Sequence, residues 1–139
     1  MSLFILDTDI LSLYQEGHVA VTQRILTHRI SELAVTVITV EEQLSGWYRV
    51  LRRAKRRPEL ADAYQRLAEA VPFLAQFAIL PFTEAAILRF EQLLAAKLQV
   101  RKSDLRIAAI ALEYGGTLVS RNLRDFQRVP GLAVEDWSK

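Results

Sequence analysis

Short apolar runs alternate along this chain with longer stretches in which apolar residues recur every three or four positions. Runs such as LFIL at residues 3–6 and LAVTV at residues 33–37 have the length and composition of buried strands. The longer stretches have the periodicity of amphipathic helices, and the stretch 104–114 is apolar on nearly every side. This alternation of strands and helices predicts an α/β fold with a parallel sheet.

The ends of these elements follow from strand composition, helix caps and breakers. The predicted strands lie at residues 2–6, 33–37, 78–82, 117–120 and 132–134. One predicted helix follows a cap at Thr8 or Asp9, and another runs from a cap at Thr39 toward Pro58. The other predicted helices cover residues 19–29, 60–71, 85–98 and 104–114. Ser103 is the expected cap of the last helix, which Gly115 and Gly116 should end, and Pro72 should break or kink the helix before it.

The helix expected after Thr39 has two distinct faces. Thr39 and Glu42 match a capping box, in which the glutamate binds a free backbone N–H group. In projection at about 100° per residue, the side opposite Glu42 is apolar and should pack on the core. This apolar side consists of Leu44, Trp47, Leu51 and Ala54, with Tyr48 nearby.

The other face of the same helix begins with Glu42 and continues as a basic stripe. Its arginines are Arg49, Arg53 and Arg56. Such a stripe can hold the phosphates of a polyanion, although many charged helix faces are simply solvated. We expect this stripe to contact the phosphates of a polyanion.

Acidic side chains follow several of the apolar segments. Sites in parallel sheets form beyond the carboxyl ends of the strands, and helix N-termini favour acids. The predicted catalytic and metal-binding residues are Asp7, Glu42, Asp104 and Asp125, with Ser120 and Asn122 as neutral groups that orient water or ligand. Oxygen ligands of this kind suit Mg²⁺ or Mn²⁺, and without a metal their repulsion should raise at least one pKa.

Each of these acids also has a purely structural interpretation. Asp7 could cap a helix, Glu42 could complete the capping box, Asp104 could be a first-turn acid and Asp125 a turn residue. A structural role is favoured for four further residues: Asp9, Glu41, His18 and His28.

Composition limits the class of protein. The 139 residues are 51% hydrophobic, which predicts one globular domain covering 1–139. No apolar run reaches the roughly 18 residues of a membrane span, and the acid after the first apolar run argues against a secretory signal. The absence of cysteine fits a reducing compartment, so we expect a cytoplasmic protein. The net charge is only +2, but clusters such as RVLRRAKRR indicate a polyanionic substrate.

Four segments together resemble PIN-domain proteins, specifically the VapC-like toxin endoribonucleases of toxin–antitoxin pairs. They are LFILDTDIL, TVITVEEQLSG, SDLRIAAIAL and LVSRNLRDFQRVPGLAVEDW. The resemblance implies a three-layer α/β/α fold with a short, mostly parallel central sheet of four to five strands. It also implies RNA cleavage that depends on Mg²⁺ or Mn²⁺, a homodimer, and a cognate antitoxin whose tail enters the acidic groove.

The resemblance assigns divalent-metal binding to Asp7, Glu42 and Asp104, and places a further acid at Asp125. The register ITVEEQL favours Glu42 over Glu41. Asn122 stands where some relatives have another acid, which leaves the fourth ligand and the number of metal ions open.

Two other functions are compatible with parts of the sequence. The run Asp7-Thr8-Asp9 after a strand is similar to the start of haloacid dehalogenase-like phosphatases, but Leu11 replaces the Thr or Val of that motif. The chain could also be a PIN-like module that binds RNA or protein without cutting.

Overall fold

The computed structural model describes residues 2–139 and contains a five-stranded, entirely parallel sheet. The strands are β1 (Phe4–Leu6), β2 (Leu33–Thr36), β3 (Ala78–Leu80), β4 (Thr117–Val119) and β5 (Ala133–Glu135). Their order across the sheet is β3-β2-β1-β4-β5, so β1 is central. The predicted parallel sheet and its strand positions are confirmed.

Within residues 2–139, seven α-helices connect or follow these strands. They are α1 (Thr8–Gln15), α2 (Val19–Leu26), α3 (Val37–Arg53), α4 (Arg57–Ala75), α5 (Glu84–Ala95), α6 (Lys102–Tyr114) and α7 (Leu123–Phe126), and a 3₁₀ turn covers Ile30–Glu32. No helix among residues 2–139 has the length and apolar character that crossing a bilayer would require.

The two faces of the sheet bury separate apolar clusters. On β1, Ile5 packs in a cluster that includes much of α6, while Leu6 packs in a second cluster with residues of α1 and α2. Because successive strand residues point to opposite faces, helices must cover both sides of the sheet. This arrangement confirms the expected three-layer α/β/α fold.

Strand pairing brings the carboxyl ends of β1 and β4 together. Leu6 lies opposite Val119, and the backbone N–H of Asp7 donates to the Val119 carbonyl at 2.9 Å. The N–H of Ser120 donates in turn to the Glu135 carbonyl at the end of β5. Asp7 and Ser120 are therefore neighbours at one edge of the sheet.

The predicted start of α3 is wrong by three residues. Thr36 is the N-cap, and its hydroxyl accepts a hydrogen bond from the Thr39 N–H at 3.2 Å. Thr39 is consequently buried inside the first turn, and Glu42 lies in the second turn, where no helical N–H group is free. The capping box of Thr39 and Glu42 does not form, because the last residue of β2 already caps the helix.

The structure also corrects the predicted cap at Ser103 and the predicted break at Pro72. Arg101, and not Ser103, is the N-cap of α6, so Ser103 is the second helical residue and its side chain is free for another partner. Pro72 lies inside α4, which continues to Ala75, so the helix does not break there, while a kink stays a prediction. Proline has no N–H to donate to the helical carbonyl one turn earlier, but Pro72 is exposed, so water can bind that carbonyl instead. Leu74, two residues further on, is buried in the core and favours continuation of the helix. Gly115 does end α6, with a left-handed φ of 65°.

Candidate functional site

A cavity of about 260 Å³ opens beyond the carboxyl ends of the central strands. It is lined by Asp7, Thr8, Asp9, Glu42, Arg101, Asp104 and Asn122. Three of the predicted metal ligands line it, and they come from the end of β1, from α3 and from α6. Residues far apart in the sequence thus form one acidic cavity.

Asp7 is buried at the end of β1, with 6% of its surface exposed. One of its oxygens accepts a hydrogen bond from the Thr8 N–H at 2.8 Å, and the other accepts one from the Ser120 hydroxyl at 2.8 Å. Burial, followed by repulsion from Asp9, raises the pKa of Asp7 to about 7. Asp7 does cap α1, as the structural interpretation holds, but its burial beside other acids exceeds what a cap needs.

Glu42 joins three elements. Its two carboxylate oxygens accept hydrogen bonds from the Thr8 hydroxyl of α1 at 2.8 Å and from the Ser103 hydroxyl of α6 at 2.9 Å. The Thr8 hydroxyl also lies 3.2 Å from that of Thr39. Glu42 is held entirely by hydroxyl groups, which can rotate toward other partners.

Asp104 is buried at the start of α6, where it forms an ion pair with Arg101. Arg101 Nε and Nη2 each lie 3.3 Å from one oxygen of Asp104. The carboxylate is 5% exposed and the arginine side chain 73% exposed, so the guanidinium covers the acid from the solvent side. Hydrogen bonding and attraction to Asp104, with smaller contributions from Glu42 and Asp7, raise the pKa of Arg101.

Asp9 and Arg101 line the cavity, although the sequence did not identify either as a site residue. Asp9 accepts a hydrogen bond from the Arg121 N–H at 3.2 Å, and burial raises the pKa of Asp9. The signals were present in the sequence: Asp9 lies one residue past Thr8, and Arg101 precedes Asp104 by one helical turn. Both also fit ordinary cap and surface roles, which made them hard to single out.

Asp125 does not line the cavity. Its oxygens accept hydrogen bonds from Asn122 Nδ2 at 3.1 Å and from Arg128 Nη1 at 3.2 Å. Asn122 does line the cavity, and its N–H donates to the Ser120 hydroxyl at 3.0 Å. Ser120 therefore lies in contact with Asp7 as a supporting group, while a ligand role for Asp125 stays a prediction.

The basic stripe is shorter than predicted. Arg49 and Arg53 are exposed on α3, but Arg56 lies beyond the end of this helix, caps α4 and pairs with Glu59 at 2.7 Å. None of the three lines the acidic cavity. Arg56 does not share the helix of the other two because Ala54 ends it in an extended conformation. Contacts of all three arginines with RNA stay a prediction.

The acidic cavity has the ligand types of a Mg²⁺ or Mn²⁺ site. Hard carboxylate oxygens are the donors that these ions prefer. However, no three Asp, Glu or His side chains among residues 2–139 are gathered closely enough to hold an ion. Each carboxylate oxygen of Asp7, Glu42 and Asp104 accepts a hydrogen bond from the protein instead. Ion binding at these residues would thus require the carboxylates to exchange partners.

Comparisons with known proteins agree with this fold. The sequence is 29% identical to "Ribonuclease VapC1" of Rickettsia felis over 134 residues, 94% of this chain and 92% of that protein. It is 29% identical to the "tRNA(fMet)-specific endonuclease VapC" of Salmonella typhimurium over 111 residues, 77% of this chain and 76% of that protein.

The fold is also shared with solved structures. A crystal structure of DNA-bound VapBC from Salmonella typhimurium matches with a TM-score of 0.81 and 25% identity, covering 99% of both chains. A sequence model described as PIN domain matches residues 4–132. Since this match covers far more than half of the sequence, the chain belongs to the PIN-domain family.

Proposed function

We propose that this protein is an endoribonuclease that hydrolyses RNA phosphodiester bonds with the help of a divalent cation, Mg²⁺ or Mn²⁺. One observation carries the proposal: Asp7, Glu42 and Asp104, from three separate elements, line one cavity at the carboxyl edge of a parallel sheet. Such an edge is where α/β folds bind ligands.

The charge of the cavity supports a cationic ligand. Four carboxylates line it, those of Asp7, Asp9, Glu42 and Asp104, and Arg101 is the only cation in the lining. Burial, followed by repulsion from Asp9, raises the pKa of Asp7 and so makes its charge costly. A bound divalent ion would offset this cost, polarise the phosphate and lower the pKa of a water molecule.

The protein's own groups would position the reactants. Hydroxyls of Thr8, Ser103 and Ser120 hold the carboxylates in place, and Asn122 adds a neutral amide to the lining. Arg101 is mostly exposed and can turn from Asp104 to a substrate phosphate, which guanidinium groups bind in bidentate fashion.

The choice of RNA as substrate rests on the relatives. Those named above are called ribonuclease and tRNA endonuclease, and the similar solved structure is of a VapBC complex. By extension we propose a toxin role with a cognate antitoxin as partner, and a homodimer as the functional form.

The test is RNA cleavage by the purified protein with Mg²⁺, with Mn²⁺ and with EDTA. Asp7→Asn and Asp104→Asn should each abolish cleavage while the circular dichroism spectrum keeps its native form. Glu113→Gln is the matched control, because Glu113 lies at the other end of α6 and pairs with Arg89 at 2.9 Å. It should cleave like the wild type.

Two outcomes would replace this proposal. If no cellular RNA is cut with either ion, the protein is a PIN-like module that binds RNA or protein without catalysis. If Asp7 instead forms an aspartyl phosphate, the chemistry is that of a phosphatase. Leu11 disfavours the phosphatase, because it is fully buried and has no polar group to offer a substrate.

A further inference from the structure

Two more cavities continue from the acidic one along α3. Glu42 lines both the acidic cavity and a second cavity of about 300 Å³, whose other lining residues are Gln43, Gly46, Trp47 and Val50. Gln43 and Trp47 also line a third cavity of about 570 Å³ between α1, α3 and α4. The shared residues make these cavities one groove that leads away from the acidic cavity.

Trp47 lies in the middle of this groove and not in the core. Leu44, one turn earlier, packs against the cluster beneath α1 and α2, but Trp47 belongs to neither apolar cluster. This corrects the prediction that Trp47 packs on the core. Arg66 of α4 lies over the indole ring with its guanidinium carbon 6.0 Å from the ring centroid, at the outer limit of a cation–π contact. An indole held loosely beside two cavities is available to a ligand.

We propose that the second cavity is a subsite for a nucleobase of single-stranded RNA next to the cleaved phosphate, and that the base stacks on Trp47. This inference rests on the proposed nuclease function. Indole rings are stacking platforms for bases in single-strand binding proteins. The volume of about 300 Å³ lies at the lower end of the range for small-ligand sites, about 300–1,000 Å³.

The lining of the cavity favours a base over a phosphate. No cation lines the second cavity, and Glu42 is its only charged residue. Trp47, Val50 and Gly46 are apolar, and a methyl group added at Gly46 would meet no atom within 4 Å. A neutral aromatic ring therefore fits here, whereas a phosphate would be repelled by Glu42.

Continuity with the acidic cavity favours RNA over a protein segment. A strand whose phosphate lies at Arg101 must place its neighbouring base nearby, and the second cavity adjoins the acidic one at Glu42. Gln43 offers an amide for the edge of the base. The third cavity is a poor path for the backbone, because Glu16, Asp62 and Glu69 outnumber Arg66 there.

The experiment measures binding of fluorescently labelled single-stranded RNA, in an Asp7→Asn background that prevents cleavage. Trp47→Leu should weaken binding roughly 5- to 150-fold, and Trp47→Phe should weaken it less, because a ring remains. The matched control is Tyr48→Leu, since Tyr48 is exposed on the same helix but lines none of the three cavities. It should bind like the parent.

A strand of abasic nucleotides separates stacking from phosphate contacts. It should bind the parent and Trp47→Leu equally. RNA should also quench the fluorescence of Trp47, since the second tryptophan, Trp137, is fully buried.

The outcomes distinguish this inference from the proposed function. Equal binding of normal RNA by the parent and Trp47→Leu, or failure of the parent to bind any RNA, overturns the subsite. If Trp47→Leu binds RNA normally but no longer binds a protein partner, the groove is the binding site of that partner instead. If Trp47 binds bases but the wild type cuts no RNA, the subsite stands and the nuclease proposal fails.

Discussion

Replacing Asp7 by asparagine should stabilise the metal-free protein above neutral pH. Asp7 is buried beside Asp9 and Asp104, and these surroundings raise its pKa from 3.8 to about 7. An asparagine has the same shape and no charge. It can keep the hydrogen bond from the Thr8 N–H and donate its own amide to Ser120, whose hydroxyl can also accept.

The magnitude follows from the two pKa values. Below the unfolded pKa of 3.8 the carboxyl group is protonated in both states and has no effect on folding. As the pH rises from 3.8 to about 7, the unfolded chain is ionised while the folded one stays protonated, so stability is lost across this interval. At about 1.4 kcal/mol for each pH unit, the loss is about 4 kcal/mol, and about 3 kcal/mol of it falls between about pH 4.5 and about pH 8.

Urea denaturation in EDTA at these two pH values measures this effect. The free energy of unfolding of Asp7→Asn minus that of the wild type should increase by about 3 kcal/mol toward the higher pH. Asp62→Asn is the control, because the Asp62 side chain is 65% exposed, and its difference from the wild type should stay near zero. A constant difference for Asp7→Asn would refute the argument that burial and repulsion hold this carboxyl protonated.

Three further substitutions test other parts of the structure. Trp137→Ala should lower the free energy of unfolding by about 3–5 kcal/mol in urea denaturation, because this indole is fully buried near the end of the described chain. Ser103→Ala should bind Mn²⁺ no more weakly than the wild type in titration calorimetry, since it removes a hydroxyl that must release Glu42 before an ion can bind. Asp125→Asn should weaken Mn²⁺ binding less than Asp104→Asn does, because Asp104 lines the acidic cavity and Asp125 does not. Equal losses would restore Asp125 as a ligand.

The sheet could be predicted because its signal is local. A run such as Leu33–Thr36 is apolar or β-branched throughout, and all its residues are buried in the structure. The alternation of such runs with helices then leaves a parallel sheet as the simple solution. The ends of helices were harder to predict than the strands. The start of α3, for example, depends on which of two nearby threonines accepts a hydrogen bond from a free N–H group. Thr36 and Thr39 both suit that role, and only the end of β2 decides between them.

The acidic site could be predicted in part, because part of its signal is also local in the sequence. Asp7 and Asp104 stand at element ends that the apolar pattern marks, and the sheet brings them to one cavity. Arg101 and Asp9 could not be singled out, because their roles depend on the direction of a side chain rather than on a pattern. Trp47 shows the same limit: its helical position matches that of a core residue, but the space above it is left open by the packing of α4.

The error in the start of α3 bears directly on chemistry. Had Thr39 capped the helix, a backbone N–H would have held Glu42, and a carboxylate that completes a cap cannot leave it without a cost to the helix. Because α3 begins at Val37, Glu42 lies beyond the free N–H groups and is held by Thr8 and Ser103 instead. A hydroxyl can turn its hydrogen to another acceptor, so these contacts can yield to a cation while the helix stays intact. The three-residue shift therefore changes Glu42 from a structural cap into a carboxylate that is free to bind a ligand.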